Sequence, residues 1–251
     1  MRKSAFDAVA RDYEKIHERS LPPGVHSEEF VVQRAAKVIE WIGDGGEGAE
    51  FCYLDFGCGN GRMFRRLLDD PGLAPRVAAG SLRLFGLDTS RESLKEAAAI
   101  AAEPRVGLVG MLEELPAGLR FDLVAAFNVF HHIDPAERPA VARALRGRMK
   151  PGGRIVIWEH NPFNPMTRVL VRVCPFDADA RLLRLDAARR LFEASAFDYL
   201  RHRFVNVFPP GWLRLRALAA IERRLRNHPV GAQYWAMFAH NGHPARGLEG
   251  L

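Results

Sequence analysis

Three glycines lie two residues apart in the segment LDFGCGNGR, between an apolar run and a helical pattern. Gly57, Gly59 and Gly61 would let the backbone turn tightly and make contact with a ligand. The dinucleotide-binding fingerprint GxGxxG does not fit, because Arg62 occupies the position of its third glycine. Asp55 would also be misplaced beside a pyrophosphate, whereas a ligand with an ammonium group would tolerate it. The loop is therefore compatible with a zwitterionic ligand.

Histidines that follow two predicted strands are the candidates for acid–base chemistry. His131 and His132 come after the run FDLVAAF, and His160 ends the run RIVIWE. Imidazole can take a proton from a hydroxyl or amine nucleophile near neutral pH. We predict His160 as the general base if the reaction needs one, with a loop-shaping role equally open, and His131 as the alternative base. Glu159 could orient His160, but adjacent residues of a strand point to opposite faces.

Predicted strands and helices alternate from residue 51 onward. Short apolar runs bounded by turn residues indicate buried strands, and apolar residues three or four apart indicate helices. The predicted strands cover 51–56, 81–87, 106–109, 121–127 and 154–158. The predicted helices between them cover 60–68, 91–102 and 135–149. Repeated units of this kind predict a parallel sheet that helices cover on both faces.

The remaining residues extend this pattern at both ends. Two late strands, at 198–207 and 231–239, fit an antiparallel edge hairpin, with a helix at 186–195 before them and an arginine-rich amphipathic helix at 211–226 between them. We therefore predict an α/β fold: a doubly wound, seven-stranded, mostly parallel sheet with an antiparallel edge hairpin and an N-terminal helical cap. The cap consists of predicted helices at 4–18 and 28–42, followed by the flexible segment GDGGEG at 43–48. The predicted units are the cap, 1–48, and a single compact domain, 49–251.

The glycine loop resembles the first motif of the class I S-adenosylmethionine (SAM)-dependent methyltransferases, in particular the small-molecule branch that includes the ubiquinone/menaquinone-type enzymes. LFGLDTSRESL resembles the second motif of that family, FDLVAAFNVFHHI its fourth-strand motif and LRGRMKPGGRIVIWEH the motif after it. These four motifs follow the family's order over residues 51–160. The resemblance implies a Rossmann-like fold, with SAM as the cofactor and S-adenosylhomocysteine (SAH) as its product.

The resemblance also implies where the cofactor binds. The loop from Gly57 to Gly61 would approach its methionine part, and Asp88 at the end of the second strand offers a bidentate acceptor for the two ribose hydroxyls. Phe127 and Asn128, at the end of the fourth strand, are placed to receive the ammonium group. The predicted contacts of this part of the cofactor are Asp55, Gly57, Cys58, Gly59, Gly61, Asp88, Thr89, Phe127, Asn128 and His132.

Further predicted contacts come from two other segments. Met111 and Leu112 could pack on both faces of the adenine ring, and Glu113 could reach its amino group, since Met111 occupies the position at which the family often has an acid. Tyr13 lies in the pattern FDAVARDY, which resembles the family's capping helix. We predict that Tyr13 closes over the cofactor from a mobile cap.

The composition narrows the location and partners of the chain. Its 251 residues carry a net charge of +6, and 48% are hydrophobic, which is usual for a globular protein. The three cysteines form no CxxC pair or metal-ligand pattern, which predicts a reducing, cytoplasmic environment and no metal site. There is no apolar run of the ~20 residues that a membrane helix needs, which predicts no stable membrane insertion.

The predicted partner is a small-molecule substrate, and the sequence does not decide between a monomer and a homodimer. The sequence NPFN at 161–164 is similar to the NPPY motif of nucleic-acid amino methyltransferases, but that motif would have to follow the fourth strand, so no nucleic acid is predicted. The resemblance implies methyl transfer from SAM to O, N or C of a small molecule, in bacterial secondary metabolism or polysaccharide biosynthesis. Two alternatives are a SAM-binding protein that catalyses a non-methylating reaction and a nicotinamide-dependent reductase, which the glycine spacing disfavours.

Overall fold

The computed structural model describes residues 18, 21, 24–45, 50–101, 105–177 and 179–242. Helix α1 covers Ser27–Gly43 and confirms the predicted helix at 28–42. Tyr13 and nearly all of the predicted helix at 4–18 lie outside the described residues, as do residues 46–48 of the predicted flexible segment.

Strands and helices alternate through the rest of the described chain. The strands are β1 (Phe51–Phe56), β2 (Leu82–Leu87), β3 (Val106–Val109), β4 (Phe121–Phe127), β5 (Met149–His160), β6 (Phe197–Val205) and β7 (Gln233–His240). The α-helices after α1 are α2 (Arg62–Leu68), α3 (Ala74–Ala78), α4 (Arg91–Ala101), α5 (Arg138–Gly147), α6 (Pro165–Val173), α7 (Leu185–Ala194) and α8 (Arg216–Leu225).

All seven strands join one sheet in the order β3-β2-β1-β4-β5-β7-β6. Neighbouring strands from β3 to β5 are parallel, and β7 is antiparallel to both β5 and β6. The predicted doubly wound, mostly parallel sheet with antiparallel edge pairing is therefore confirmed. The two late strands are not joined by a tight turn, because α8 separates them and β7 lies between β5 and the edge strand β6.

Strand β5 is longer than the predicted strand at 154–158. It begins at Met149, and Gly152 adopts a φ of 77° within it. The pairing with β4 shifts between Phe121 and Leu123, so the Pro-Gly-Gly segment is a bulge inside the strand rather than a turn before it. The predicted helix at 135–149 is correspondingly shorter, since α5 ends at Gly147.

Three helical segments differ from the sequence prediction. The predicted helix at 211–226 is divided into a 3-10 turn, Pro210–Arg214, and α8, because Leu215 between them is extended. Helices α3 and α6 were not predicted. A local signal for α6 exists, since the Asn164 side chain accepts a hydrogen bond from Thr167 N at 3.0 Å and a proline follows Asn164.

Apolar side chains from the two faces of the sheet form two separate cores. In β4, Leu123 and Ala125 pack into the cluster under α1 and α2, whereas Val124 and Ala126 pack into the cluster under α5 and α7. This alternation follows from the two-residue period of a strand. None of the helices in the described residues is long and apolar enough to cross a membrane.

Candidate functional site

A cavity of about 520 Å³ opens at the carboxyl ends of β1, β2, β4 and β5. This is the edge at which open parallel sheets bind ligands. Helix α1 contributes Phe30 and Arg34 to the cavity wall. Glu28 on the same helix pairs with Arg62 and Arg66 of α2, and these ion pairs hold α1 beside the glycine loop.

The glycine loop connects β1 to α2 and forms the floor of this cavity. Its backbone is fixed by the N–H groups of Gly57 and Cys58, which both donate to Leu87 O at 2.7 and 3.0 Å. A Cβ atom added to Gly59 would meet no atom within 4 Å, so this residue borders open space. A Cβ atom on Gly61 would lie 2.8 Å from the Cβ of Ala97, so this glycine allows α2 and α4 to pack closely.

Two carboxylates stand beside the loop. Asp88 Oδ2 accepts a hydrogen bond from Gly59 N, and Oδ1 accepts one from Ser90 N, each at 2.8 Å. Asp55 is only 3% exposed, and its Oδ1 atom has no hydrogen-bond partner. Burial, together with the nearby charge of Asp88, raises the pKa of Asp55 to about 7, while Arg34 acts in the opposite direction. The site therefore holds a buried carboxylate with no hydrogen-bond partner at one oxygen.

Arg34 crosses from α1 to the ends of β4 and β5. Its guanidinium carbon lies 5.6 Å from the centre of the Phe127 ring and 5.9 Å from that of Trp158. The Asn128 amide, oriented to satisfy both neighbours, accepts from Arg34 Nη2 at 3.0 Å and donates to Trp158 O at 3.3 Å. Asn128 also has a φ of 56°, a conformation that asparagine tolerates better than most residues. These contacts place a cation within the cavity next to the predicted ammonium-binding strand end.

Histidines and carboxylates form a second cluster on the opposite side of β4. His131 is 1% exposed, and its Nδ1 atom lies 2.5 Å from Glu159 Oε2. Glu159 Oε1 accepts hydrogen bonds from the backbone N–H groups that precede His131 in the chain, at 2.8 and 3.1 Å. His131 Nε2 and His132 Nε2 lie 3.3 and 3.5 Å from Asp177 Oδ1. The His160 ring centre is 5.1 Å from that of His131.

The pKa values of these histidines diverge. Burial opposes a charge on His131, but the carboxylates of Glu159 and Asp177 raise its pKa to about 9. Burial and the charge of His131 lower the pKa of His160 to about 3 and that of His132 to about 4. His131 is therefore already protonated near neutral pH, which argues against it as the alternative general base. His160 is neutral there, but a pKa of about 3 lies far below the range that suits a base at pH 7.

The structure brings most of the predicted site residues to one cavity. Those that line it are Asp55, Gly57, Cys58, Gly59, Asp88, Thr89, Phe127, Asn128, His132 and His160. Gly61 and His131 do not line the cavity. Gly61 packs against Ala97 of α4, and His131 is buried against Glu159.

The predicted adenine contacts are not part of this cavity. Met111 is 48% exposed, Glu113 is exposed, and Leu112 packs partly against the core. Their segment follows β3, and Glu114 there accepts a hydrogen bond from Gly110 N at 2.7 Å. In the part of the chain that is described, the cavity wall ends at Thr89 and Ser93 without reaching these residues. An adenine contact at Met111–Glu113 would have to lie outside the cavity.

A comparison with protein families finds a match in the central part of the chain. Residues 54–155, from β1 into β5, match the family model described as a methyltransferase domain. This segment is therefore similar to methyltransferase domains. It contains the glycine loop, both carboxylates and the strand end that carries His131. A comparison with curated proteins gives no significant match.

Solved structures of methyltransferases share the fold across nearly the whole chain. Magnesium protoporphyrin IX methyltransferase from Synechocystis PCC 6803 with bound SAH aligns with a TM-score of 0.62 at 16% identity, over 94% of this chain and 95% of that chain. The N-methyltransferase NodS from Bradyrhizobium japonicum WM9 in complex with SAH aligns with a TM-score of 0.56 at 13% identity, over 90% and 97%. A SAM-dependent methyltransferase from Archaeoglobus fulgidus gives 0.56 at 18%, over 83% and 94%. At these identities the similarity shows the fold.

Two residues of the site were not found from the sequence. Arg34 lies on α1, and the helical pattern there predicts only that one face is buried. Asp177 lies in the segment CPFDADA after α6, where no spacing motif marks it. Both reach the site through contacts between segments that are distant in the chain, so no local signal could have found them.

Gly59 and Gly61 are expected to respond differently to alanine. Gly61→Ala should lower the melting temperature strongly, because the new Cβ atom would lie 2.9 Å from Ala97 Cα in a backbone with φ of 78°. Gly59→Ala, with φ of 54° and open space, should cost only about 1–2 kcal/mol of stability. It should nevertheless weaken cofactor binding. Thermal denaturation and SAH titration of both variants would check this, and equal losses of stability would contradict it.

Proposed function

We propose that the chain transfers a methyl group from SAM to a small-molecule nucleophile and releases SAH. The observation that carries this proposal is the Asp55 carboxylate. It is buried at the end of β1, and its Oδ1 atom has no hydrogen-bond partner. A buried carboxylate is costly to ionise unless it is paired and hydrogen-bonded, and a cationic ligand group at Oδ1 would do both. The ammonium group of the SAM methionine part is such a group.

The other residues of the cavity fit the rest of the cofactor. Asp88 uses one acceptor position of each oxygen on Gly59 N and Ser90 N. An ionised carboxylate accepts several hydrogen bonds at once, so Asp88 is a suitable acceptor for ribose hydroxyls. Gly59 offers space without a side chain, and Phe127 offers an aromatic face at the end of β4. These residues would bind the methionine and ribose parts of SAM.

The reaction depends mainly on the position of the acceptor and on the exclusion of water from the site. SAM carries its methyl group on a sulfonium, which supplies the activation for direct displacement. The protein then has to hold the acceptor in line with that methyl group and exclude water. Phe30 and Arg34 on α1 close one side of the cavity, while His160 and Asp177 face it from the ends of β5 and the segment after α6. We propose that the acceptor binds between these two sides, with His160 in contact with its nucleophilic atom.

Several finer statements stay predictions. For function, they are the ubiquinone/menaquinone-type branch and a role in bacterial secondary metabolism or polysaccharide biosynthesis. For the protein itself, they are a cytoplasmic location, a homodimer, a separate cap over 1–48 and the closing of Tyr13 over the cofactor. The similar structures act in support of a small-molecule acceptor, since one is named for magnesium protoporphyrin IX. None of them identifies the acceptor of this chain.

Turnover distinguishes the proposal from its alternatives. The purified protein is incubated with SAM and a panel of small hydroxyl, amine and acidic-carbon compounds, and SAH and methylated products are measured by mass spectrometry. We expect SAH to form together with a product heavier by one methylene group. Conversion of a compound without SAH formation would instead support the non-methylating alternative, and SAM-independent oxidation of NADH would support the reductase.

Asp88→Ala is expected to weaken SAH binding by about 1–3 kcal/mol, because the ribose hydroxyls lose a charged acceptor. The change also frees Gly59 N, so Asp88→Asn serves as a second variant that keeps one acceptor and should fall between the wild type and alanine. Asp198→Ala, on the far edge strand β6, is the matched control and should bind normally. An unchanged SAH dissociation constant in Asp88→Ala would remove Asp88 from the site.

A further inference from the structure

Three side chains from separate segments converge at one wall of the cavity. His131 follows β4, His160 ends β5, and Asp177 lies in the 3-10 turn Pro175–Asp177. One ligand atom from each lies within 4.8 Å of the other two. His131 Nε2 is 3.3 Å from Asp177 Oδ1. Two ligands of a tetrahedral ion are about 3.3 Å apart when each metal–ligand bond is about 2.0–2.1 Å long. Without an ion, the protonated His131 pairs with Asp177 at this distance, and a bound ion would take the place of the Nε2 proton between the two atoms.

His131 is held in the orientation that a metal ligand needs. Its Nδ1 atom is bound to Glu159 Oε2 at 2.5 Å, and Glu159 is itself fixed by the backbone N–H groups of Val129 and Phe130. This arrangement directs Nε2 towards Asp177. Nε2 is buried and makes no hydrogen bond. Histidine ligands of metals usually bind a carboxylate through their second nitrogen, which fixes the ring as Glu159 does here.

We propose that His131, His160 and Asp177 bind one divalent transition-metal ion of the zinc class. Two imidazoles and one carboxylate suit Zn²⁺ or Fe²⁺ better than Mg²⁺ or Ca²⁺, which prefer oxygen ligands. His160 and Asp177 also line the cavity, so the remaining coordination positions face the space for the substrate. The sequence predicted no metal site, because the three ligands are far apart in the chain and share no ligand spacing.

The ion has a chemical role in the proposed methyl transfer. Held by His131, His160 and Asp177, the ion would supply Lewis-acid chemistry, since contact with the nucleophilic oxygen or nitrogen of the acceptor would lower the pKa of the proton on that atom. The proton would pass to solvent, and the freed electron pair would form a bond to the methyl carbon while the carbon–sulfur bond breaks and its electron pair stays on sulfur. Binding of the metal does not depend on the proposed function, but this catalytic role rests on it.

Cobalt titration tests the site in the full chain. The protein is first treated with a chelator, and Co²⁺ is then added while the visible d–d absorption is recorded. We expect saturation at one Co²⁺ per chain and displacement of the Co²⁺ by Zn²⁺. His160→Ala should weaken binding at least tenfold, and so should Glu159→Gln, which leaves all three ligands in place. His228→Ala replaces an exposed histidine outside the cluster and should bind as the wild type does.

SAH calorimetry on the same samples separates this proposal from the proposed function. His160→Ala should keep SAH binding, which also shows that the variant is folded. Absence of saturable Co²⁺ binding, or equal binding by the wild type and His160→Ala, would overturn the metal site and leave the cofactor proposal intact. Saturable Co²⁺ binding without SAH binding would support the metal site and overturn the cofactor proposal. With an acceptor in hand, chelation should lower turnover, and Zn²⁺ should restore it.

Discussion

Replacing Glu159 by alanine is expected to lower the free energy of unfolding of the chelator-treated protein by about 3–5 kcal/mol, the usual cost of breaking a buried ion pair. Both side chains of the Glu159–His131 pair are fully buried, and removal of the carboxylate leaves the charged imidazole with Asp177 as its remaining acidic contact among the described residues. The same change also leaves the backbone N–H groups of Val129 and Phe130 without their acceptor.

The effect of Glu159→Ala should depend on pH in a defined direction. The pKa of His131 is raised from 6.5 to about 9, so its contribution to stability is complete below pH 6.5 and is lost as pH rises through 9. The pKa of Glu159 is lowered from 4.5, so its contribution is present above pH 4.5 and is lost as pH falls further. The difference between wild type and variant should therefore be largest between these limits.

Urea denaturation from about pH 5 to about pH 9 measures the difference in the free energy of unfolding between the wild type and Glu159→Ala. This range lies between the pKa values of Glu159 and His131. Glu193→Ala, which breaks an exposed pair with Arg189, is the matched control and should change stability little. Glu159→Gln keeps the volume of the side chain and should fall between the two. If Glu159→Ala were as stable as Glu193→Ala, the buried pair would not support the strand ends that form the cavity.

Asp55→Asn is expected to weaken SAH binding about 10- to 100-fold, which corresponds to the ~1.5–3 kcal/mol of a hydrogen bond to a charged group. The same variant should be more stable than the wild type without ligand. The folded-state pKa of Asp55 is raised from 3.8 to about 7, so the ionised carboxylate costs stability as pH rises through 7. Asparagine removes this cost, and the gain should be clear at pH 8, about one unit above that value, and absent near pH 4.

Opposite changes in binding and stability are the signature of a functional carboxylate. In the wild type, SAH binding should also weaken as pH falls below about 7, because Asp55 is then protonated, whereas Asp55→Asn should lack this dependence. The other charged groups that act on Asp55 are Asp88 and Arg34, and both remain in the variant. Asp198→Asn on β6 is the control. Normal SAH binding by Asp55→Asn would show that the ammonium group is held elsewhere.

The sheet was predictable because its strands are short, apolar and bounded by glycine or aspartate. Strands β1, β3 and β4 have the predicted limits, and β2 differs by one residue. The Pro-Gly-Gly segment misled the prediction of β5, since the same residues that end a helix also allow a bulge. Helix α6 was missed although Asn164 and the proline after it mark its start, and Met166, Val169 and Val173 recur at helical spacing.

The cofactor side of the site was more predictable than the acceptor side. Gly59, Asp55 and Asp88 lie at strand ends that the topology brings together, so their motif and their position agree. Strand alternation correctly indicated that Glu159 turns away from His160, but not that it meets His131 on the neighbouring strand. Pairings of that kind depend on register between strands, which the sequence of one strand does not contain.

Titration calorimetry of the wild-type protein with SAH and, separately, with NAD tests directly whether the glycine loop, Asp55 and Asp88 form a site for SAM and SAH. We expect saturable binding of SAH with one site per chain and no saturable binding of NAD at the same concentrations. Saturable binding of NAD with no heat from SAH would show that the cavity is not a site for SAM and SAH.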